Sequence, residues 1–235
     1  MKILIHEKII RRNAKIGQFT SLGSLLILAG GMYVSFAYPT QLYISFSALL
    51  VGFIASQVGI YFGNRWGRRP RIDERLTSAL KGLTKDYTIY HFLTPVNHLL
   101  VGPAGVWIIE PYYQRGTIVY DRGKWKQKGG GLLLGYLKIF AQEGLGRPDI
   151  EIKADIDNLT DQLKKTLDAN QPLPPINVVL VFTDERAVLE TESSPIPAIK
   201  LDQLKEFIRK NAKQTPLPVA EIKRITTVLP NESIE

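Results

Sequence analysis

The sequence predicts an α/β fold with a mixed α+β sheet, preceded by a transmembrane helical hairpin. Two observations predict it. Residues 16–64 contain no Asp, Glu, Lys or Arg, whereas the rest of the chain is polar. Beyond them, short apolar runs typical of strands alternate with stretches whose apolar residues recur at helical spacing. The resulting order of helix, several strands, helix, two strands and helix favours a mixed sheet with helices packed on it.

The net charge of +8 is confined to one end of the chain. Residues 1–71 hold nine Lys and Arg against one Glu, which gives +8, and residues 72–235 hold 21 of each sign, which gives 0. The excess charge therefore flanks the apolar stretch, which is typical of membrane topology rather than of a nucleic-acid surface. The chain has no cysteine, which excludes disulfides and thiolate metal sites.

Two apolar stretches, at about 17–37 and 42–62, are long enough to span a bilayer, because about 20 helical residues cover its hydrocarbon core. Pro39 ends the first helix in a short turn. Basic residues flank both stretches: Lys8, Arg11, Arg12, Lys15, Arg65, Arg68, Arg69 and Arg71. The turn carries no charge, so the sequence predicts a cell-membrane protein with two spans, both termini in the cytoplasm and the lipid bilayer as its partner.

Two alternatives to the hairpin were weighed. A cleaved signal peptide ending at Ser35-Phe36-Ala37 would leave one span, but its apolar region normally has only about 7–15 residues. A buried core hairpin in a soluble protein would require a small domain to enclose two long uncharged helices. The two-span anchor is therefore the preferred interpretation.

The rest of the chain divides by composition. Residues 1–16 form a basic N-terminus, 64–71 a basic linker, 72–212 a soluble domain and 213–235 a tail. Within the domain we expect helices at 72–83, 150–169 and 201–210, and strands at 87–93, 98–101, 106–110, 117–121, around Trp125, 176–182 and 197–200. The strands from 87 to 125 are expected to form an antiparallel meander. The apolar residues 132–140 are interpreted as core or as a loop on the membrane.

Three pieces of this domain carry a further signal. Asp73-Glu74-Arg75-Leu76 opens the first helix, residues 97–110 read NHLLVGPAGVWIIE, and Gly116-Thr117-Ile118 is followed by Trp125. Together with Glu151 after Pro148 and a buried strand ending at Thr183, they resemble the nuclease-related domain (NERD) family. This family is a branch of the restriction-endonuclease-like superfamily, and the resemblance covers about residues 70–210.

The resemblance implies a restriction-endonuclease-like core and metal-dependent phosphodiester cleavage. Such a site holds Mg²⁺ on carboxylates and uses a Lys to offset phosphate charge. The residues that would line it here are Glu74, Asn97 and Glu110, with Asn97 and Glu110 as metal ligands. Asn97 stands where the family has Asp, and Tyr112 stands where it has Lys.

These departures remove one anionic ligand and one cation. The sequence therefore predicts a degenerate site without a cofactor, in a protein that acts in binding or scaffolding at the membrane. One alternative is an active nuclease that uses Mg²⁺ on Asn97 and Glu110, with Arg115 or Lys126 replacing the Lys. Another is an adaptor with no nucleic-acid role that docks a protein partner or the bilayer through residues 132–140.

Two other residue patterns were considered. Lys124, Trp125, Lys126 and Lys128 interleave basic and aromatic side chains, as nucleic-acid surfaces do, although a solvated edge strand is the preferred interpretation. His91 and His98 are expected to be packing or surface residues rather than metal ligands.

Overall fold

The computed structural model describes residues 1–128, 145–167 and 171–235 of the chain. These residues divide into two compact units. The hairpin unit comprises residues 8–71 of the described chain, and the sheet unit comprises residues 1–7 together with the described residues from 72 onwards. The apolar segment at 132–140 lies outside the described residues.

The hairpin unit consists of two long helices, α1 (Glu7–Ala37) and α2 (Leu42–Phe62), the second of which continues into a π-helical turn, Gly63–Gly67. Both helices are long and apolar enough to cross a membrane, judged by length and composition. Helix α1 begins ten residues before the predicted span at 17. This extension, residues 7–16, consists mostly of good helix formers and contains no Gly or Pro, so the helix continues through it.

Small residues form the interface between the two helices. They recur at seven-residue spacing and are buried: Gly17, Ser24 and Gly31 on α1, and Ser45, Gly52 and Gly59 on α2. A Cβ atom added at Gly59 would lie 2.8 Å from the backbone nitrogen of Ser21, and one at Gly31 would lie 2.7 Å from the Cβ of Ala48. The helices therefore approach as closely as side chains of this size permit.

Large apolar side chains cover the outside of the hairpin. Leu26 is 68% exposed, Phe46 69% and Tyr43 90%. In a water-soluble helical pair such residues would fill the interface and polar residues would face outward. The hairpin has the opposite arrangement.

The sheet unit contains a mixed sheet of six strands, which are in spatial order β1 (Lys2–Ile5), β2 (Thr88–His91), β3 (His98–Gly102), β4 (Gly105–Tyr112), β7 (Ile176–Phe182) and β9 (Ala198–Lys200). Strands β2, β3 and β4 form an antiparallel meander. Strand β1 pairs in parallel with β2, and β7 pairs in parallel with both β4 and β9. The predicted mixed sheet is confirmed.

A second sheet has three strands, which are in spatial order β6 (Lys124–Lys128), β5 (Gly116–Asp121) and β8 (Ala187–Glu190). The predicted single meander is therefore wrong at β5, which pairs with β6 and β8 rather than continuing from β4. The chain turns between the two sheets at Gly116, whose φ of +85° suits glycine.

Among the described residues, four helices cover the large sheet: α3 (Ile72–Ala79), α4 (Pro148–Thr166), α5 (Leu204–Gln214) and α6 (Val219–Val228). Helices α3 and α5 pack on the face that carries Ile109. Helices α4 and α6 pack on the opposite face, which carries Ile108. Helix α6 lies within the predicted tail, which therefore contributes to the core.

The N- and C-termini meet at one edge of the large sheet. The amide of Ile234 donates to the carbonyl of Ile5 at 3.0 Å, and the amide of Glu7 donates to the carbonyl of Ile234 at 2.8 Å. The Lys2 ammonium donates to the carbonyl of Asn231 at 2.7 Å. The C-terminal residues thus cover the edge of β1, which would otherwise present unpaired backbone groups.

The close approach of α1 and α2 predicts a specific cross-link. We expect the Gly31→Cys/Ala48→Cys variant to form an intramolecular disulfide on mild oxidation, because the two Cβ positions lie 2.7 Å apart and need to separate by only about 1 Å. The chain has no other cysteine, so the shift in gel mobility reports this bond alone. In the control, Gly30→Cys/Ala48→Cys, residue 30 has no neighbour within 4 Å outside its own helix. Equal cross-linking of the two variants would contradict the packing described.

Candidate functional site

The carboxyl ends of β4 and β7 lie side by side because the two strands are parallel. Glu110 is paired with Leu180 and Tyr112 with Phe182. Beyond the last pair, the amide of Thr183 donates to the carbonyl of Tyr112 at 2.7 Å. Side chains alternate along a strand, so Glu110 and Tyr112 share the face that α4 covers.

Pro111 lies between these two residues without breaking the sheet. The carbonyl of Tyr112 faces β7, so the backbone of Pro111 faces the other way, towards β3. Strand β3 begins at His98, which the register places opposite Ile109. Strand β3 therefore does not extend to the level of Pro111. Because no β3 residue lies opposite Pro111, the N–H that proline lacks would have had no backbone acceptor in β3.

Asn97 lies directly before β3, on the strand that neighbours β4. The β3–β4 register starts at the pair Leu99–Ile108, so Asn97 lies two residues before this pair on one segment and Glu110 two residues after it on the other. The backbone carbonyl of Asn97 accepts a 2.8 Å hydrogen bond from the amide of Phe92. Asn97 and Glu110 thus lie at the same end of the β3–β4 pair, and their assignment as metal ligands stays a prediction.

Glu74 comes from the other layer. It lies in the first turn of α3, a helix that packs through Leu76 on the face opposite Tyr112. The assignment of Glu74 to the site therefore stays a prediction.

Tyr112 occupies the position at which the sequence resemblance expects a lysine. Its hydroxyl donates a hydrogen bond to Oε2 of Glu151 at 3.2 Å, in the first turn of α4. Its ring stacks on Phe182 with centroids 5.5 Å apart and planes inclined by 25°. Only 7% of Tyr112 is exposed. The ring of Tyr112 is therefore held by stacking, and its hydroxyl is held by a hydrogen bond.

The electrostatic surroundings keep the Tyr112 hydroxyl protonated. Burial raises the pKa of Tyr112 most, and the nearby carboxylates of Glu151, Glu110 and Asp155 raise it further. The hydroxyl is consequently a neutral hydrogen-bond donor across the physiological pH range. The sequence analysis used Glu151 only as part of the family resemblance and did not single out Asp155, because nothing in the local pattern indicates that either residue lies near Tyr112.

The match to a known family covers this region. Residues 71–183 match the family model of the nuclease-related domain (NERD). This segment is a nuclease-related domain. The resemblance seen in Asp73–Leu76 and in residues 97–110 is thereby confirmed, and no curated protein or solved structure gave a match.

Of the two residues expected to hold the divalent cation that the resemblance implies, Asn97 and Glu110, only Glu110 is a carboxylate. Among the three described stretches, no group of three or more His, Asp or Glu side chains is arranged to hold a metal ion. One carboxylate oxygen that faces the site already accepts the hydrogen bond from Tyr112.

Arg115 and Lys126, the two residues expected to replace the missing lysine, lie beside other carboxylates. The ammonium of Lys126 is 3.0 Å from Oδ2 of Asp121. Arg115 is close to Asp184, whose pKa falls to about 2, chiefly through the hydrogen bond from Arg186 and with a contribution from Arg115. Of these two cations, Lys126 thus forms an ion pair, whereas Arg115 acts on Asp184 through its charge.

Strand β6 separates its aromatic residue from its lysines. Trp125 is 9% exposed and packs in the core, edge-to-face with Tyr120 at 5.2 Å. Lys124, Lys126 and Lys128 alternate with it and are exposed on the opposite face. Trp125 offers no open face on which a base would stack, so only the lysines remain of the predicted nucleic-acid surface.

Two histidines of the domain form a buried pair. His91 and His98 are direct partners in the β2–β3 register, and their Nδ1 atoms are 2.8 Å apart. Nε2 of His91 lies 2.9 Å from Oγ1 of Thr77 on α3. A hydrogen bond between two ring nitrogens requires one acceptor lone pair, so at least one ring is neutral. Their position in the core agrees with the expected packing role.

The Tyr112–Glu151 hydrogen bond predicts a pH-dependent stability difference. We expect Tyr112→Phe to lower the free energy of unfolding by about 1 kcal/mol at pH 8. In the unfolded chain tyrosine ionises near pH 10, whereas folding raises the pKa of Tyr112. The wild-type advantage is therefore complete below pH 10 and shrinks as the pH rises above it. Urea unfolding of the full chain at pH 8 and pH 10.5, followed by tryptophan fluorescence, measures both.

The control for this experiment is Glu151→Gln, which retains an acceptor for the hydroxyl and should behave nearly as wild type at pH 8. If Tyr112→Phe has the same stability as wild type at pH 8, or if the difference does not change with pH, the described role of the hydroxyl is wrong.

Proposed function

We propose that this chain is a membrane-anchored nuclease-related domain protein that has lost catalysis and acts in binding or scaffolding at the cytoplasmic face of the cell membrane. The single observation that carries the proposal is the Tyr112 hydroxyl bonded to Glu151, at the place where a cleaving domain would need a cation.

The chemistry of phosphodiester cleavage supports the loss of catalysis. The reaction develops negative charge that a metal ion and a cationic side chain must offset. Asn97 supplies an amide oxygen without charge, and Tyr112 is neutral, as tyrosine is below a pKa of about 10, which burial raises further here. Arg115 and Lys126 lie beside Asp184 and Asp121. The site therefore has carboxylates but few positively charged groups that could offset their negative charge.

The exposed apolar surface of the hairpin supports the membrane anchor. In water, each exposed Å² of such surface costs about 25 cal/mol relative to burial, and continuous patches of this size are rare on soluble proteins. A bilayer removes that cost. The lengths of α1 and α2 both suffice for a core about 30 Å thick.

The pairing of β1 supports a hairpin with both ends on the same side of the membrane. Strand β1 precedes α1, and its partner β2 follows α2. If both helices span the bilayer, β1 and β2 can pair only when the chain crosses twice and returns. The basic residues that flank the helices favour the cytoplasmic side.

A second candidate function is an active metal-dependent nuclease that uses Asn97 and Glu110. The position of both residues at the same end of the β3–β4 pair favours it, because neighbouring strands bring such side chains near each other. Carboxylate and amide oxygens are ligand types that a hard cation accepts.

A cleavage assay decides between the two functions. We expect the purified full chain in detergent, with Mg²⁺ or Mn²⁺ and mixed DNA and RNA substrates, to show no cleavage above the background of its Glu110→Ala variant. Cleavage by wild type that Glu110→Ala abolishes would overturn the proposal. Metal binding seen by calorimetry and lost in Glu110→Gln would then support the second candidate.

A fractionation experiment tests the anchor. We expect the expressed chain to stay in the membrane pellet after alkaline carbonate treatment and ultracentrifugation without detergent, while a peripheral marker protein is released. A tag on the C-terminus should be protected from impermeant labels added to intact cells. Recovery in the supernatant would contradict the anchor, and labelling of the tag would contradict its orientation.

A further inference from the structure

Helix α2 carries a polar side chain on the side that faces away from α1. Gln57 follows Leu50 by seven residues, and Leu50 follows Tyr43 by seven. We call these three residues the outer seam. The α2 residues buried against α1 each come two positions later: Ser45, Gly52 and Gly59. Two residues turn an α-helix by about 200°, so the outer seam lies opposite that interface, with Gln57 partly exposed on it.

The side-chain amide of Gln57 lacks the internal bonds that nearby hydroxyls form. In the part of the chain that the structure describes, the amide is hydrogen-bonded to no other residue. By contrast, the hydroxyl of Ser56 donates to the carbonyl of Phe53 at 2.7 Å, within the same helix. Gln57 therefore retains two N–H donors and a carbonyl acceptor for a partner outside this chain.

The depth of Gln57 keeps water from being that partner. Helix α2 has 21 residues and is about 30 Å long, which matches the hydrocarbon core of a bilayer. Gln57 lies five residues beyond its midpoint, Gly52, and so about 7 Å inside the nearer boundary of that core. Side chains on a helix lean towards its N-terminus, so the amide leans towards the bilayer centre. An amide without a partner is costly there.

A second copy of the same helix supplies the partner. All copies insert in one orientation, so Gln57 lies at the same depth in each. A carboxamide both donates and accepts, so two of them related by a two-fold axis along the membrane normal can each donate to the other. We propose that the anchor forms a two-fold symmetric dimer through the outer seam of α2, with the two Gln57 side chains hydrogen-bonded to each other. This inference rests on the membrane anchor proposed above and adds a second copy of the chain as its partner.

The residues around Gln57 suit a helix pair. Tyr43 and Leu50 are 90% and 62% exposed, and Phe46 and Ile60, which continue the spacing of three and four residues, are 69% and 38% exposed. This is the spacing of a coiled-coil seam, in which one polar position specifies the register of the two helices. In lipid, apolar contact alone adds little, because the acyl chains are equally apolar. The amide pair therefore decides both the association and its register.

Energy transfer in vesicles measures the dimer. The purified full chain, labelled at its C-terminus with a donor or an acceptor dye, is reconstituted in phosphatidylcholine vesicles at a series of lipid-to-protein ratios. We expect wild type to dimerise. Gln57→Leu should raise the dissociation constant by about tenfold, because it removes both interhelical hydrogen bonds. Gln57→Asn, which retains donor and acceptor, should restore most of the affinity.

The matched control is Ser56→Ala, which removes a neighbouring polar group whose hydrogen bond is already made within α2. It should leave the dissociation constant unchanged. A monomeric wild type, an unchanged dissociation constant in Gln57→Leu, or an equal rise in Ser56→Ala overturns the inference.

A cross-link tests which face of α2 is used. Leu50→Cys should form an intermolecular disulfide on mild oxidation faster than Val51→Cys, because residue 51 lies about 100° around the helix from the outer seam. Both positions are open in one copy of the chain, at 62% and 53% exposed, and the chain has no other cysteine. Equal rates for the two variants would contradict the proposed face.

The carbonate experiment separates this inference from the anchor on which it rests. A chain that resists carbonate but is monomeric in vesicles leaves the anchor standing and refutes the dimer. A chain that carbonate releases refutes both.

Discussion

Parallel pairing between β4 and β7 holds the sheet unit together. Seven residue pairs, from Val106 with Ile176 to Tyr112 with Phe182, join segments that lie 176 − 106 = 70 positions apart in the chain. Both strands are apolar and largely buried, as expected for strands covered by helices on both faces. Because the strands run in the same direction, their carboxyl ends share one edge of the sheet, and the site is built there.

The same pairing fixes the surroundings of Tyr112. Tyr112 gains a stacking partner in Phe182 from β7 and a hydrogen-bond acceptor in Glu151 from α4. A lysine at this position would have to keep its ammonium charged in a largely buried place, whereas a tyrosine fills the place and remains neutral. Tyr112 is therefore fixed in the sheet edge by stacking and by one hydrogen bond.

The hairpin and the sheet obey different packing rules within one chain. Between α1 and α2 the smallest residues are buried and the largest apolar residues face outward. In the sheet unit large apolar residues fill the core, as in Ile108 and Ile109 on its two faces. Lipid is as apolar as leucine, so helices inside it associate through close contact rather than through the hydrophobic effect. Strand β1 connects the two parts of the chain, since it belongs to the sheet and is followed closely by α1.

The sequence by itself determined the features that depend on local composition. The uncharged stretch indicated the hairpin, and the run of apolar residues at 176–182 predicted β7 with its observed bounds. Only the tertiary structure decided the remainder: the four-residue strands β1 and β8, the separate small sheet, the burial of Trp125, and the contact of Tyr112 with Glu151. The physical reason is that a short strand has too few residues for a periodic pattern. Its partner, its exposed face and its hydrogen bonds are set by segments far away in the chain.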